Sequence, residues 1–208
     1  MRSKLGKKAF STEVLWPYLL ISMMLVLGLL FGVLATRVVH SDQRIQLRMY
    51  LDSYIGFIGK ERGLDKASSA LLKEALNLNL LKTAAVMVLA SLSIVGVPLI
   101  AVIAFLRGFI LGFGAGFLIQ ELHLKGGLIF LAGLLPQNLF IFPGLVILGG
   151  ASVVFSAAIC STLFGRKKRS LMQEVQEYFT KTAVGVLVIL LGCFMEAFIT
   201  PGFLKLLV

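Results

Sequence analysis

The fold is decided by the stretch Leu135-Pro136-Gln137-Asn138-Leu139-Phe140-Ile141-Phe142-Pro143-Gly144, which interrupts the uncharged run from Gly126 to Gly165. The forty residues of that run would form a helix of ~60 Å, about twice the hydrocarbon thickness of a bilayer. Two prolines remove backbone donors in its middle, and two amides add polar atoms there. Irregular backbone at membrane depth is tolerated only where protein or water satisfies it, so this run marks the centre of a polytopic bundle.

The composition is that of an integral membrane protein. Of the 208 residues, 58% are hydrophobic and 14% are charged, whereas a soluble domain has about one quarter charged. The length suits a single membrane domain, 1–208. The net charge of +10 comes from basic residues beside apolar runs, which favours orientation against membrane lipid and not a nucleic-acid partner.

We predict an all-α bundle of about five transmembrane helices at 17–39, 83–106, 108–122, the Pro-broken region 126–164, and 182–200. A tight turn at Arg107 would separate the second span from the third. Between the spans lie a cytoplasmic tail (1–16), an extracytoplasmic helical loop (40–82) and a cytoplasmic loop (165–181). With this topology ten basic residues lie inside and only Lys125 and Lys205 in the short outer segments, which places the N-terminus in the cytoplasm and the C-terminus outside.

The extracytoplasmic loop is amphipathic. Apolar residues recur at helical spacing from Leu47 to Ile58, and Arg44, Arg48 and Asp52 occupy the opposite face. This pattern predicts a helical hairpin on the outer surface of the bundle, and its polar face is a candidate partner surface.

Small residues repeat every four positions at Gly108, Gly112 and Gly116, a spacing that lets membrane helices approach closely. They indicate either packing inside the bundle or formation of a homo-oligomer.

Three further residues are polar within apolar surroundings. Gln137 and Asn138 either repair the backbone bonds freed by Pro136 and Pro143, or they line a pathway or bind a partner. Glu196, an ionisable residue within the last span, is either a proton-linked group or the ion-pair partner of Arg37 or Lys82.

The residue inventory gives little basis for catalysis. His40 and His123 both fall outside the predicted spans, and Cys160 and Cys193 lie in apolar runs without a histidine pair that would complete a metal site. We therefore predict no enzyme activity, no cofactor and no metal.

Several motifs together resemble the stage II sporulation protein M family. They are Asn79-Leu80-Leu81-Lys82, Gly96-Val97-Pro98, Arg107-Gly108 with Gly112 and Gly116, Leu135-Pro136-Gln137-Asn138-Leu139-Phe140 with Pro143, and Glu196-Ala197-Phe198-Ile199-Thr200-Pro201. The resemblance covers nearly the whole chain.

The resemblance implies a multi-pass protein of the cell membrane at the sporulation septum, acting in endospore formation. It implies a non-catalytic scaffold that holds two peptidoglycan hydrolases, stage II sporulation proteins D and P, while the forespore is engulfed. The alternative function is a transporter or channel-like subunit, because a broken helix with buried amides is typical of transporters.

The predicted topology can be tested by cysteine labelling in a background that lacks Cys160 and Cys193. Tyr50→Cys, Lys125→Cys and Lys205→Cys should react in intact cells with a membrane-impermeant maleimide, and Lys168→Cys should react only after lysis. Labelling of Lys168→Cys in intact cells would contradict this topology.

Overall fold

The computed structural model describes residues 12–60, 64–93, 95–163, 171–200 and 202–203. These ranges contain helices and no strand, so the predicted all-α class is confirmed. The basic cluster Arg166–Arg169 and most of the predicted cytoplasmic tail lie outside them. The helices are α1 (Thr12–Ala35), α2 (Ser41–Lys60), α3 (Leu64–Leu76), the π-helix π1 (Asn77–Ala84), α4 (Ala85–Ala90), α5 (Gly96–Gly133), α6 (Leu135–Leu163), α7 (Leu171–Phe194) and the π-helix π2 (Met195–Ile199).

The helices α1 and α5 run parallel with their backbones in contact. Gly108 lies against the backbone of Leu25, and Gly112 lies one turn further along against Leu29. Two glycines of α1, Gly28 and Gly32, likewise lie against the backbone of α5. Gly108, Gly112 and Gly116 thus pack inside this chain, where a larger side chain would force the helices apart.

The parallel pair defines two ends of the bundle. At the proximal end, where α1 and α5 begin, Ser156 Oγ donates a hydrogen bond to Ser93 O (2.7 Å), and the ring of Tyr178 stacks on Phe155. At the distal end, where α1 finishes, Gln120 Nε2 donates to Thr36 Oγ1 (2.6 Å).

The helices α6 and α7 complete the core as an antiparallel pair. Gly144 lies against Gly185 and Ile189, and Gly192 lies against Ile141. The composite helix α3–π1–α4 packs on α7 through its first two parts and on α5 and α6 through α4. Most of the fully buried side chains are apolar, among them Ile21, Met87, Ile100, Leu145, Leu148 and Ile189, and Ser152 on α6 is buried as well.

Four of the described helical stretches are long and apolar enough to cross a membrane: Leu15–Ala35, Gly96–Gly133, Leu135–Thr162 and Met172–Ile199. The protein is therefore a multi-pass membrane protein. The remaining long element, α3–π1–α4, runs from the distal to the proximal end. It is more polar, because it carries Lys73, Glu74 and Lys82.

The predicted turn at Arg107 is wrong. Helix α5 passes through Arg107 and Gly108 without interruption, so the proposed spans 83–106 and 108–122 do not exist as such. The chain reverses instead in the short connection between α4 and α5. Pro98 lies in the first turn of α5, where a backbone N–H would have no acceptor within the helix, so proline is tolerated there. A charged residue followed by glycine is typical of a loop, but Arg107 and Gly108 both face other helices.

The long uncharged run folds differently from a single broken span. At His123, near the distal end, a positive φ of 52° bends the chain, and Gly126 then packs back against the Leu118 carbonyl group. The helical path is interrupted again at Leu134, two residues before Pro136. Pro143 lies within α6 and does not end it. The region 126–164 is thus a returning helical arm followed by α6.

The glycine contacts predict a selective loss of stability. A methyl group on Gly112 would overlap the Leu29 carbonyl oxygen, whereas one on Gly127 would meet open space. We expect Gly112→Ala to lower the free energy of unfolding by about 1–3 kcal/mol, the usual result of overpacking, and Gly127→Ala to leave it unchanged or raise it slightly. Unfolding of the purified protein in mixed micelles measures both. Equal stability of the two variants would contradict the packing.

Candidate functional site

Two π-helices concentrate polar groups inside the bundle: π1 packs on α7, and π2, which follows α7, packs on α3. Asn79 Nδ2, on π1, donates to Cys193 Sγ (3.7 Å), one residue before the end of α7, and Cys193 Sγ donates to Ala75 O (3.6 Å). Asn79 and Cys193 are both buried. A π-helix is uncommon and is often found at functional sites because it changes the direction of side chains within a helix.

Arg107 is the charged centre of this polar cluster. Its Nε donates to Thr83 Oγ1 (2.8 Å), and its Nη2 also donates to Thr83 Oγ1 and to the Leu78 carbonyl oxygen. Thr83 Oγ1 in turn donates to Leu78 O (2.9 Å). The guanidinium therefore bridges α5 to π1, and it satisfies a carbonyl group in the widened turn of the π-helix.

Arg107 lies deep within the bundle. The next residue, Gly108, contacts Leu25, which is at the middle of the apolar stretch Leu15–Ala35. Arg107 is also eleven residues from the start of α5, about 16 Å along the helix axis. An arginine near the middle of a bilayer is rare, and it persists where polar groups of the protein surround it.

Glu196 faces the same cluster from π2. Its carboxylate interacts electrostatically with Arg107 and with Glu74, and Asn79 lies beside it. The sequence suggested Arg37 or Lys82 as its ion-pair partner, but the basic residue that acts on it is Arg107. Arg37 instead lies exposed, just beyond the end of α1.

The amides beside Pro136 make structural hydrogen bonds. Asn138 Nδ2 donates to Leu134 O (2.7 Å), the carbonyl group at the interruption between α5 and α6. Gln137 Oε1 accepts from Thr200 Oγ1 (2.9 Å) and so joins the start of α6 to the end of π2. Pro136 lies in the first turn of α6, where a proline N–H is not needed. The bond from Asn138 goes to Leu134 O and not to the carbonyl groups of Ala132 or Leu139, which Pro136 and Pro143 leave without a helical donor, so it differs from the predicted repair.

A second polar network fastens α2 to the distal end of the bundle. Arg44 Nε pairs with Glu121 Oε1 (2.9 Å), and Arg48 Nη1 lies 3.5 Å from Glu121 Oε2. Arg44 Nη2 also donates to Gln120 Oε1 (2.6 Å). Arg44 and Arg48 therefore already have a partner within the chain, and Leu51 on the same helix packs beneath them. Asp52 also belongs to α2, but its side chain lies outside the described part of the structure.

One family of known proteins matches the chain over most of its length. The family described as SpoIIM, stage II sporulation protein M, matches residues 18–201. The chain belongs to the stage II sporulation protein M family. No curated protein and no solved structure matches it significantly.

The motifs that resemble the family are distant in sequence but meet in space. Asn79 on π1 contacts the end of α7, Arg107 bonds to π1 from α5, and Gln137 bonds to Thr200 beyond π2. Four of the five motifs therefore contribute polar contacts inside the membrane bundle, and those of Asn79 and Arg107 belong to the polar cluster around π1. Sequence reasoning missed Arg107 as a member because it read the residue as part of a loop.

The coupling between Arg107 and Glu196 can be measured with a double-mutant cycle. Arg107→Leu removes the charged donor from Thr83 and Leu78 O, and we expect it to lower the free energy of unfolding by about 2–3 kcal/mol. Glu196→Leu should also destabilise. The double variant should lose less than the sum of the single losses, because each change leaves the other charge without its counterpart.

Unfolding in mixed micelles gives all four free energies, and the exposed Lys125→Leu serves as the control for loss of a charge. Strict additivity would show that Arg107 and Glu196 do not interact.

Proposed function

We propose that this sporulation-related membrane protein is a non-catalytic scaffold for endospore formation. It anchors peptidoglycan hydrolases, stage II sporulation proteins D and P, at the septal membrane during engulfment of the forespore. The family supports the sporulation role. The part that concerns hydrolases is an inference from the resemblance and from the shape of the distal end.

One observation carries the scaffold proposal: α2 is a 20-residue helix that side-chain contacts join to the distal end of the bundle. Ion pairs to Glu121 and the hydrogen bond to Gln120 attach its inner side. Its outer face, which we define as Ile45, Met49 and Tyr50, remains exposed, and each of these side chains has more than half its surface accessible. An exposed apolar face with polar residues around it is typical of a protein–protein interface.

In the proposed orientation, the outer face of α2 lies on the side of the membrane that faces the peptidoglycan wall. If the N-terminus is cytoplasmic, as the distribution of basic residues indicates, the distal end lies on the extracytoplasmic side, facing peptidoglycan. A hydrolase bound to α2 would then be held at a constant height above the membrane. The scaffold itself would need no catalytic group, in keeping with the scarcity of nucleophile–base pairs in the sequence.

A transporter or channel subunit is the second candidate. The polar cluster of Arg107, Glu196 and Asn79 favours it, because ionisable groups at membrane depth often mark ion pathways. Ion flux into liposomes that contain only the purified protein, abolished by Glu196→Gln, would support this candidate over the scaffold.

The scaffold is tested by co-purification of stage II sporulation proteins D and P from sporulating cells. Met49→Arg places a charge in the outer face of α2, and we expect it to lower recovery of the hydrolases about tenfold or more, equivalent to ~1.4 kcal/mol of binding. The control is Met172→Arg, the same change at an exposed position on α7. Equal recovery with both variants would count against docking on α2.

A charge exchange between Arg44 and Glu121 distinguishes a role in attaching α2 to the bundle from direct contact with the hydrolases. In an Arg48→Gln background, which removes the second arginine from Glu121, Arg44→Glu should release α2 and reduce recovery, and Arg44→Glu combined with Glu121→Arg should restore it, because the ion pair is re-formed with reversed charges. Failure of the double variant to restore binding, with normal folding, would instead place Arg44 in the interface itself.

A further inference from the structure

The helix formed by α3 and π1 lies beside the membrane-spanning helices, at a depth where hydrocarbon is expected. Leu78 O and Thr83 are bonded to Arg107, which lies beside the middle of the apolar stretch of α1. Ala75 O is bonded to Cys193, within the apolar stretch that α7 and π2 form. The outward side of the segment between Ala75 and Thr83 therefore faces whatever surrounds the bundle inside the bilayer.

This outward side carries polar residues among leucines. Its exposed side chains, which we call the α3–π1 face, are those of Lys73, Glu74, Asn77, Leu78, Leu81 and Lys82. Exposed residues at similar depth on α1 and α5 include Val26 and Ile110, which are apolar. Acyl chains cover apolar residues without cost, whereas charges and amides in hydrocarbon require a polar partner.

The polar side chains of the α3–π1 face are not paired with one another. In the part of the chain that the structure describes, Lys73, Asn77 and Lys82 make no side-chain hydrogen bond or ion pair. Lys73 and Glu74 do not pair within one copy, because neighbouring residues of a helix point about 100° apart. A partner from outside the described chain is therefore needed at this depth.

The residues of this face form two parallel lines, because residues four positions apart stay near one side of a helix. The lines are Lys73, Asn77, Leu81 and Glu74, Leu78, Lys82. Two copies of the chain in one membrane have the same orientation, so a twofold axis between them runs along the membrane normal. Rotation about that axis places the first line of each copy opposite the second line of the other copy.

In this arrangement the α3–π1 face is complementary to itself. Lys73 lies opposite Glu74 of the other copy at the same height, and the twofold axis creates this ion pair twice. Lys82 lies on the same side of the axis as Asn77 of the other copy, about one helical turn away, a distance that a lysine side chain can span to donate to the amide oxygen. Both cations, the carboxylate and the amide thereby gain a partner.

We propose that two copies of this chain associate through the α3–π1 face. Leu78 and Leu81 would pack together between the polar pairs. Lipid head groups lie at the membrane surface and would leave Asn77 and Lys82 unpaired, whereas hydrogen bonds between membrane helices are a recognised source of association. This interface is separate from the outer face of α2 and does not depend on the proposed hydrolase partners.

Cross-linking in liposomes that contain only the purified protein tests the interface. In a background that lacks Cys160, a short bismaleimide should join two copies of Asn77→Cys, whereas Cys193 is buried and can remain. The matched control is Val26→Cys, which is exposed at similar depth on α1. Asn77→Cys should cross-link at least about tenfold more than the control, because association raises the local concentration of the second thiol.

The ion pairs are tested by exchanging charges. Lys73→Glu places two carboxylates opposite each other on both sides of the axis and should raise the dissociation constant of the dimer about tenfold or more. Lys73→Glu combined with Glu74→Lys re-forms both pairs with reversed charges and should restore wild-type association. Energy transfer between labelled copies in liposomes measures association, and Lys125→Glu, a change at an exposed lysine elsewhere, should associate like wild type.

Three results would overturn the proposal. The first is equal cross-linking of Asn77→Cys and Val26→Cys. The second is wild-type association of Lys73→Glu, or failure of the double exchange to restore association, with wild-type circular dichroism in each variant. The third is cross-linking of Asn77→Cys in cells only to a different membrane protein, which would show that a partner of another kind covers the α3–π1 face.

Discussion

The backbone contact between α1 and α5 sets the register of the whole bundle. Gly28 and Gly32 on one helix and Gly108 and Gly112 on the other remove the side chains that would otherwise keep the two axes apart. Lipid offers no hydrophobic driving force for association, so such close packing is the principal source of stability between membrane helices. The parallel alignment then places Arg107 at mid-depth and Gln120 beside Thr36 at the distal end.

Polar groups inside this bundle are arranged in short local networks that satisfy the irregular backbone. Arg107 and Thr83 both donate to Leu78 O in π1, and Asn138 donates to Leu134 O where α5 gives way to α6. The first network satisfies a carbonyl group in the widened turn of π1, and the second adds a side-chain donor at the junction of two helices. Because hydrocarbon supplies no alternative partner, the interruptions and the polar side chains must occur together.

The sequence was sufficient for the helical class, the membrane location, the family and the importance of the region around Pro136. Hydrophobicity and length decide the first two features, short sequence motifs decide the other two, and none of these depends on tertiary contacts. The path through the middle of the chain was not predictable in the same way. Arg107-Gly108 has the composition of a loop, and only the partners Thr83 and Leu78 O, supplied by a different helix, show that it belongs within α5.

The candidate site could be predicted only in part, because its contacts also depend on the tertiary structure. Glu196, Gln137 and Asn138 stood out as polar residues in apolar runs, but their partners depend on which helices become neighbours. The two π-helices had no signal in the residue pattern, because a single widened turn changes the spacing of side chains by one position. Arg44 and Arg48 were identified on the correct helix, and their attachment to Glu121 could not be seen without the bend at His123.

The π-helix π1 also determines where one residue could be deleted from this chain without disturbing the fold. A π-helix contains one residue more than the α-helix that would span the same distance, so deletion of one residue between Asn77 and Ala84 would restore regular winding without opening a gap. The side chains on the N-terminal side would then keep their directions relative to α4, because the widened turn is what absorbs the extra residue. Relatives that lack this residue would keep the same backbone outline and the same outward faces, and would lose only the widened turn in which Leu78 O accepts from Arg107.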